Sequence, residues 1–79
     1  MSVNPTYSKQ AKDFLEKQPE RQASRIRRAI NNLPYGDIKK LKGYDNMYRL
    51  RIGDFRVVFE NKNEMLHVIK IDNRGDVYK

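Results

Sequence analysis

Residues 47–60 of this chain are MYRLRIGDFRVVFE, in which apolar and polar side chains alternate on both sides of Gly53-Asp54. This pattern predicts two antiparallel strands joined by a tight turn. Successive side chains of a strand point to opposite faces of the sheet. One face of the hairpin is therefore apolar, and we expect it to cover the core; it carries Tyr48, Leu50, Ile52, Phe55, Val57 and Phe59.

The other face of the hairpin carries three arginines, Arg49, Arg51 and Arg56. A fold does not require such a cluster, and like charges at close range repel one another. The cluster therefore favours an anionic ligand. The alternative is a solvated sheet face that binds nothing, which is where strand charges usually lie.

The composition points to the same kind of ligand. The chain has 79 residues, a formal net charge of +7 and no cysteine. Such a charge favours nucleic acid, an acidic protein segment or an anionic membrane surface. The length predicts a single domain, residues 1–79. No apolar run has the length of a signal peptide or membrane span, so we expect a cytoplasmic protein without a membrane partner.

The segments before the hairpin predict a short strand and two helices. Residues 3–7 could form a short strand, and because Pro5 cannot donate a ladder hydrogen bond, the segment should be an edge strand or no strand. Ser8 is a candidate N-cap for a helix that ends near Lys17. Pro19 suits the first position of a second helix. One face of that helix is apolar, with Ala23, Ile26, Ile30 and Leu33 at spacings of three and four.

The remaining segments complete an α+β fold. The residues around Lys39, Lys40 and Lys42 are predicted to form a linker, residues 61–64 a turn, and residues 65–71 a third strand that is apolar at nearly every position. The predicted order is β-α-α-β-β-β. In this fold a helical hairpin packs on one face of a small, mainly antiparallel sheet.

This ordered set of motifs resembles the RelE/ParE toxin superfamily, and it is most similar to the RelE branch of messenger-RNA interferases. The motifs are Leu41-Lys42-Gly43, the hairpin of residues 48–60, and the final Arg-x-x-Val-Tyr of residues 74–78. The resemblance implies a RelE-like fold and the toxin of a type II toxin–antitoxin system. It also implies metal-independent cleavage of messenger RNA in the A site of the 70S ribosome, in which the ribose 2′-hydroxyl attacks the adjacent phosphate.

The resemblance assigns catalytic roles to Arg49, Arg51, Arg56, Arg74 and Tyr78. Guanidinium groups held in place can stabilise the charge that develops on the phosphoryl oxygens, and their planar fork matches phosphate. Tyr78 offers a face on which an unstacked base can lie. Lys39, Lys40 and Lys42 are candidate RNA contacts, with a solvated linker as the alternative.

The proton acceptor stays open. Many relatives have a histidine where this chain has Asn73, which cannot transfer a proton at neutral pH. Arg49 and Arg51 remain charged and are poor bases. Arg51, Glu60, a ribosomal group or no efficient base are the alternatives, so we expect slow catalysis. His67 shares its strand parity with Ile71 and is predicted to be a structural residue of the core row.

The resemblance further implies a protein antitoxin as partner, and operator DNA bound through that antitoxin. No cofactor is implied, and the oxygens of Asp72, Asn73 and Asp76 do not match the spacing of a calcium loop, so we assign no metal. Two other functions share the scaffold. One is a ParE-like toxin that inhibits DNA gyrase without nuclease activity, and the other is a relative that binds RNA with little catalysis.

Overall fold

The computed structural model describes residues 5–73, in which two helices precede four strands of a five-stranded sheet. The elements are β1 (Thr6–Tyr7), α1 (Lys9–Glu16), α2 (Glu20–Asn31), β2 (Asp37–Lys40), β3 (Met47–Ile52), β4 (Phe55–Lys62) and β5 (Met65–Asn73). The α+β prediction is confirmed. The linker prediction is wrong for residues 37–40, because this segment pairs with β3 and adds a strand to the predicted order.

The sheet has the strand order β1-β5-β4-β3-β2. β1 pairs with β5 in parallel, and the other neighbours are antiparallel. β1 lies at an edge, as the proline beside it predicts, and β2 forms the opposite edge. The predicted hairpin is β3–β4, with Tyr48 opposite Phe59 and Arg51 opposite Arg56. This register places the three arginines of the hairpin on one face of the sheet.

Side chains at the start of α1 fasten this helix to β5. The Ser8 hydroxyl accepts a hydrogen bond from the Ala11 N–H at 3.1 Å and donates one to the Ile69 carbonyl at 2.6 Å, which confirms Ser8 as the N-cap. Beyond the end of β1, the Gln10 side-chain amide bonds to the backbone of β5 in place of a neighbouring strand. It donates to the Ile71 carbonyl at 2.9 Å and accepts from the Ile71 N–H at 3.0 Å. These bonds satisfy backbone groups that β1 is too short to reach.

The core lies between the helices and one face of the sheet. α2 presents the predicted stripe of Ala23, Ile26 and Ile30, all buried, and Pro19 is its N-cap rather than its first helical residue. The sheet supplies the predicted apolar row of β3 and β4, in which Leu50 and Val57 are fully enclosed. Neither helix of residues 5–73 covers the opposite face of the sheet, which we call the outer face.

An irregularity in β5 reverses the side-chain alternation of this strand. Val58 pairs with Lys70 whereas Phe59 pairs with Val68, so Ile69 is an extra residue of β5, as in a β-bulge. The parity argument for His67 is wrong for this reason. His67 pairs with Glu60, is half-buried, and lies on the outer face, where its Nδ1 is 2.6 Å from the Thr6 hydroxyl.

The turn between β4 and β5 contains a strained residue. Asn63 and Glu64 have φ angles of 54° and 62°, which is the type I′ geometry that favours Asn-Gly. Glutamate is poorly suited to the second position, because its Cβ crowds the backbone at positive φ. We expect Glu64→Gly to raise the free energy of unfolding by about 0.5–1 kcal/mol in urea denaturation. Glu64→Ala, which keeps the Cβ, should give no such gain; an equal gain would refute the strain argument.

Candidate nucleic-acid interface

Residues that are paired between neighbouring strands lie side by side on the same face of a sheet. On the outer face, two such rows run across the strands and contain most of its charged residues. The first row is Asp37, Arg51, Arg56 and Asp72, and the second is Lys39, Arg49, Val58 and Lys70. The two rows together contain five cations and two carboxylates, so their net charge is +3. The three arginines predicted from sequence therefore do lie together, outside the core.

The cations of the two rows line an open groove with a volume of about 700 Å³, which we call the basic groove. Its lining residues are Lys39, Lys40, Leu41, Lys42, Arg49, Arg51, Arg56, Val58 and Lys70. The three predicted lysines thus join the arginines, because β2 carries Lys39 and Lys40 alongside β3 and Lys42 follows in the next loop. Lys70 was not predicted. The apolar character of β5 concealed it, although Lys70 precedes the buried Ile71 and lies opposite Val58, on the outer face.

Arg56 is held in place by a carboxylate. Its Nη2 donates to Asp72 Oδ2 at 3.1 Å, and Lys70 Nζ is 3.7 Å from the same oxygen. The Asp72 side chain is only 20% exposed. Arg56 Nε and Asp72 Oδ1 are both buried without a hydrogen-bond partner, so the pair is one bond short of the bidentate form. Asp72 therefore orients Arg56 and leaves one of its donors unused.

Arg49 and Arg51 are held more loosely, by a carboxylate at the sheet edge. Asp37 lies 3.7 Å from Arg49 Nη1 and 4.0 Å from Arg51 Nε, both longer than a hydrogen bond. The Asp37 side chain is 58% exposed, whereas that of Arg49 is only 14% exposed. The Nη1 atom of Arg49 is buried and has no hydrogen-bond partner within residues 5–73. A buried donor without an acceptor is unfavourable. An anion bound in the basic groove could supply the missing acceptor.

A third row of the outer face contains groups that can transfer protons. Glu60 is opposite both Met47 and His67. Glu60 follows Val58 by two residues in β4, so their Cα atoms are about 7 Å apart at the usual rise of a strand. Sequence reasoning placed Glu60 among the open alternatives for a base, and it placed His67 in the core row. The structure puts both side chains beside the basic groove without making them part of its lining.

Other features of the described residues lie apart from the groove. Burial raises the pKa of Tyr7 above its usual value of 10.0, against a smaller opposing effect of Arg27. Tyr7 packs against the core and takes no part in the groove. Arg74 and Tyr78, which the resemblance assigns to the site, lie outside the described residues.

No helix within residues 5–73 is both long enough and apolar enough to cross a membrane.

Comparison with known proteins places the chain among toxins. The family described as "ParE toxin of type II toxin-antitoxin system, parDE" matches residues 6–78. "Toxin RelE3" of Methanocaldococcus jannaschii is 38% identical over 50 residues, 63% of this chain and 56% of that protein. "Putative toxin RelE1" of the same organism is 44% identical over 45 residues, 54% of this chain and 50% of that protein. The aligned part of the chain thus spans about half the length of these curated relatives.

Two solved structures share the fold over nearly the whole chain. A RelB-RelE antitoxin-toxin complex from Methanococcus jannaschii superposes with a TM-score of 0.74 at 28% identity, covering 92% of this chain and 94% of that chain. An archaeal RelE-RelB complex from Pyrococcus horikoshii gives a TM-score of 0.73 at 27% identity, with coverage of 95% and 98%. Since the family match extends over residues 6–78 and these structures share the fold, the chain belongs to the ParE toxin family of type II toxin–antitoxin systems, within the RelE/ParE superfamily.

Proposed function

We propose that this chain is a toxin that binds messenger RNA in the ribosomal A site and cleaves it. The observation that carries this proposal is the basic groove, in which Arg49, Arg51 and Arg56 converge with lysines from β2 and β5. The planar fork of a guanidinium matches the geometry of a phosphate group. A site of action on ribosomes implies a cytoplasmic location.

The proposed reaction is an intramolecular transfer at phosphorus. The ribose 2′-oxygen bonds to the adjacent phosphorus, and the bond from phosphorus to the 5′-oxygen of the next nucleotide breaks. The products are a 2′,3′-cyclic phosphate and a free 5′-hydroxyl, and the leaving oxygen gains a proton. Arg49 and Arg51 stabilise the charge on the phosphoryl oxygens, and Asp72 keeps Arg56 oriented for the same purpose.

The proton of the 2′-hydroxyl requires an acceptor other than the arginines, since these remain charged. Glu60 and His67, in the row beside the groove, are the protein groups we propose for testing, alongside a group of the ribosome. Arg74 and Tyr78 keep the roles that the family resemblance implies, phosphate binding and base stacking.

We further propose a protein antitoxin as partner. The two similar solved structures are described as complexes of RelE with RelB. A flexible acidic segment would suit the basic groove, because it would neutralise the cations before RNA could reach them. Repression of the operator by the complex would then depend on DNA contacts made by the antitoxin.

Inhibition of DNA gyrase is the second candidate function. The matching family carries the ParE name, and Asn73 stands where many RNA-cleaving relatives have a histidine. Primer extension on cellular messenger RNA after induction separates the two functions. New RNA ends that disappear in Arg74→Ala support the nuclease, whereas DNA breaks and an SOS response without RNA ends support the gyrase inhibitor. Binding to ribosomes that falls steeply with salt, without cleavage, would indicate a relative that only binds RNA.

The edge carboxylate offers a direct test of the electrostatics of the groove. Asp37 competes with phosphate for Arg49 and Arg51, so Asp37→Asn should tighten the binding of a short single-stranded RNA at low salt. A charge at this distance in a solvated site is worth about 1 kcal/mol, or about fivefold in Kd. Fluorescence anisotropy measures the effect. Asp54→Asn, an equal charge change in the exposed β3–β4 turn, should alter Kd much less; equal effects would mean that only net charge matters.

A further inference from the structure

An aromatic side chain lies at one end of the basic groove. Tyr44 belongs to the loop between β2 and β3 and is 60% exposed. The Leu41 N–H donates to the Met47 carbonyl at 3.0 Å and closes this loop, and Gly43 turns the chain with a φ of 84°. The ring is therefore carried on a short connection that begins and ends in the sheet.

Tyr44 lines a second concavity, with a volume of about 480 Å³, that continues the basic groove. It shares Lys40, Leu41 and Lys42 with the groove, and Gly43, Tyr44 and Asp45 complete its lining. A ligand that follows the cations of the groove past Lys42 would therefore meet the ring of Tyr44. A single exposed aromatic residue needs no explanation by itself; the continuity with a cationic groove is what points to a ligand.

This concavity contains a carboxylate acceptor for a base that the described lining of the basic groove lacks. Its lining contains two lysines and one carboxylate, that of Asp45. Within residues 5–73, the lining of the basic groove contains cations and apolar side chains but no carboxylate. A carboxylate repels phosphate but accepts hydrogen bonds from the exocyclic amino group of a base. Aromatic rings beside a basic track are a common way to hold single-stranded nucleic acid, and every base has a face that can stack.

We propose that Tyr44 stacks on a nucleobase of the RNA strand whose phosphates lie in the basic groove. This inference rests on the proposed function and adds a base-binding position to it. The position is separate from Tyr78, to which the family resemblance gives a stacking role. It makes the loop between β2 and β3 part of the RNA interface, together with the sheet.

The test compares three variants of the full chain in binding to a short single-stranded RNA. Tyr44→Ala should weaken binding roughly 5- to 150-fold, the effect expected for loss of one stacked base. Tyr44→Phe retains the ring and should bind within about twofold of wild type. Tyr35→Ala is the matched control, since Tyr35 is 75% exposed but lines neither concavity, and it should not change Kd. Circular dichroism verifies that each variant is folded.

An abasic position moved stepwise along the RNA identifies stacking directly. At one position, removal of the base should weaken wild-type binding and abolish the difference between wild type and Tyr44→Ala. Wild-type affinity in Tyr44→Ala, or a loss that stays the same at every abasic position, would overturn the stacking role. If binding depends on Arg51 but not on Tyr44, only this inference fails; if the wild-type chain binds no RNA, the proposed function fails with it.

Discussion

The Arg51→Ala variant should cleave messenger RNA about 10²–10³-fold more slowly than wild type, the usual effect of removing one donor that stabilises transition-state charge. Its stability should hardly change. The Arg51 side chain is 39% exposed, and its ion pair with Asp37 spans 4.0 Å. Exposed pairs of this kind contribute little to folding. Single-turnover cleavage of ribosome-bound messenger RNA gives the rate, and thermal unfolding gives the stability.

Two further variants separate geometry from charge. Arg51→Lys keeps the charge but loses the planar fork, so its rate should fall between those of wild type and Arg51→Ala. Arg28→Ala removes one exposed positive charge from α2, on the other side of the sheet, and should cleave at the wild-type rate. If Arg51→Ala also cleaves at the wild-type rate, Arg51 does not contact the reacting phosphate and the site must lie elsewhere.

The Ile26→Ala variant should lose a large part of the stability of the protein. Ile26 is fully buried on α2, within the cluster that joins the helices to the sheet. Truncation of a buried isoleucine destabilises by about 2–5 kcal/mol. The total stability expected for a chain of this length is only about 4–12 kcal/mol. We therefore expect the midpoint of thermal unfolding to fall by about 10 °C or more.

Met65→Ala provides the comparison, since Met65 is 61% exposed in β5. Its midpoint should remain within a few degrees of wild type, because an exposed side chain gains little from burial. Circular dichroism during heating measures both variants. A small shift in Ile26→Ala would mean that α2 is not essential to the core.

The part of the fold that follows from strong periodicity could be predicted from sequence. Alternation in residues 47–60 defined the hairpin and the face on which its arginines lie, because a period of two fixes which side chains are neighbours. The spacing of Ala23, Ile26 and Ile30 defined the buried face of α2. Each of these segments buries a continuous row, so local pattern and tertiary packing agree.

The edge strand β2 could not be predicted in the same way. Its sequence is Asp-Ile-Lys-Lys, with Ile38 as the single apolar residue. What makes it a strand is pairing with β3 across the loop of residues 41–46, and a segment of four mainly polar residues does not reveal that pairing. The same pairing brings Asp37 to Arg49 and Arg51, so the loosely held carboxylate of the groove could not be foreseen either.

The irregularity at Ile69 explains the remaining errors at the site. A strand read with an unbroken period of two puts His67 on the core side together with Ile71. One extra residue moves His67 to the outer face while Ile71 stays in the core. Nothing in the apolar run around residue 69 marks the position of such an insertion. Its consequence is functional, since it adds one titratable group, His67, to the face that carries the arginines.

Cleavage of messenger RNA on programmed ribosomes by the purified protein is the most direct test of the proposed activity. Primer extension should show new 5′ ends within the codon in the A site. The downstream fragments should carry a 5′-hydroxyl and the upstream fragments a 2′,3′-cyclic phosphate, and Arg51→Ala should reduce both. A folded wild-type chain that produces no new RNA ends under these conditions would contradict the account.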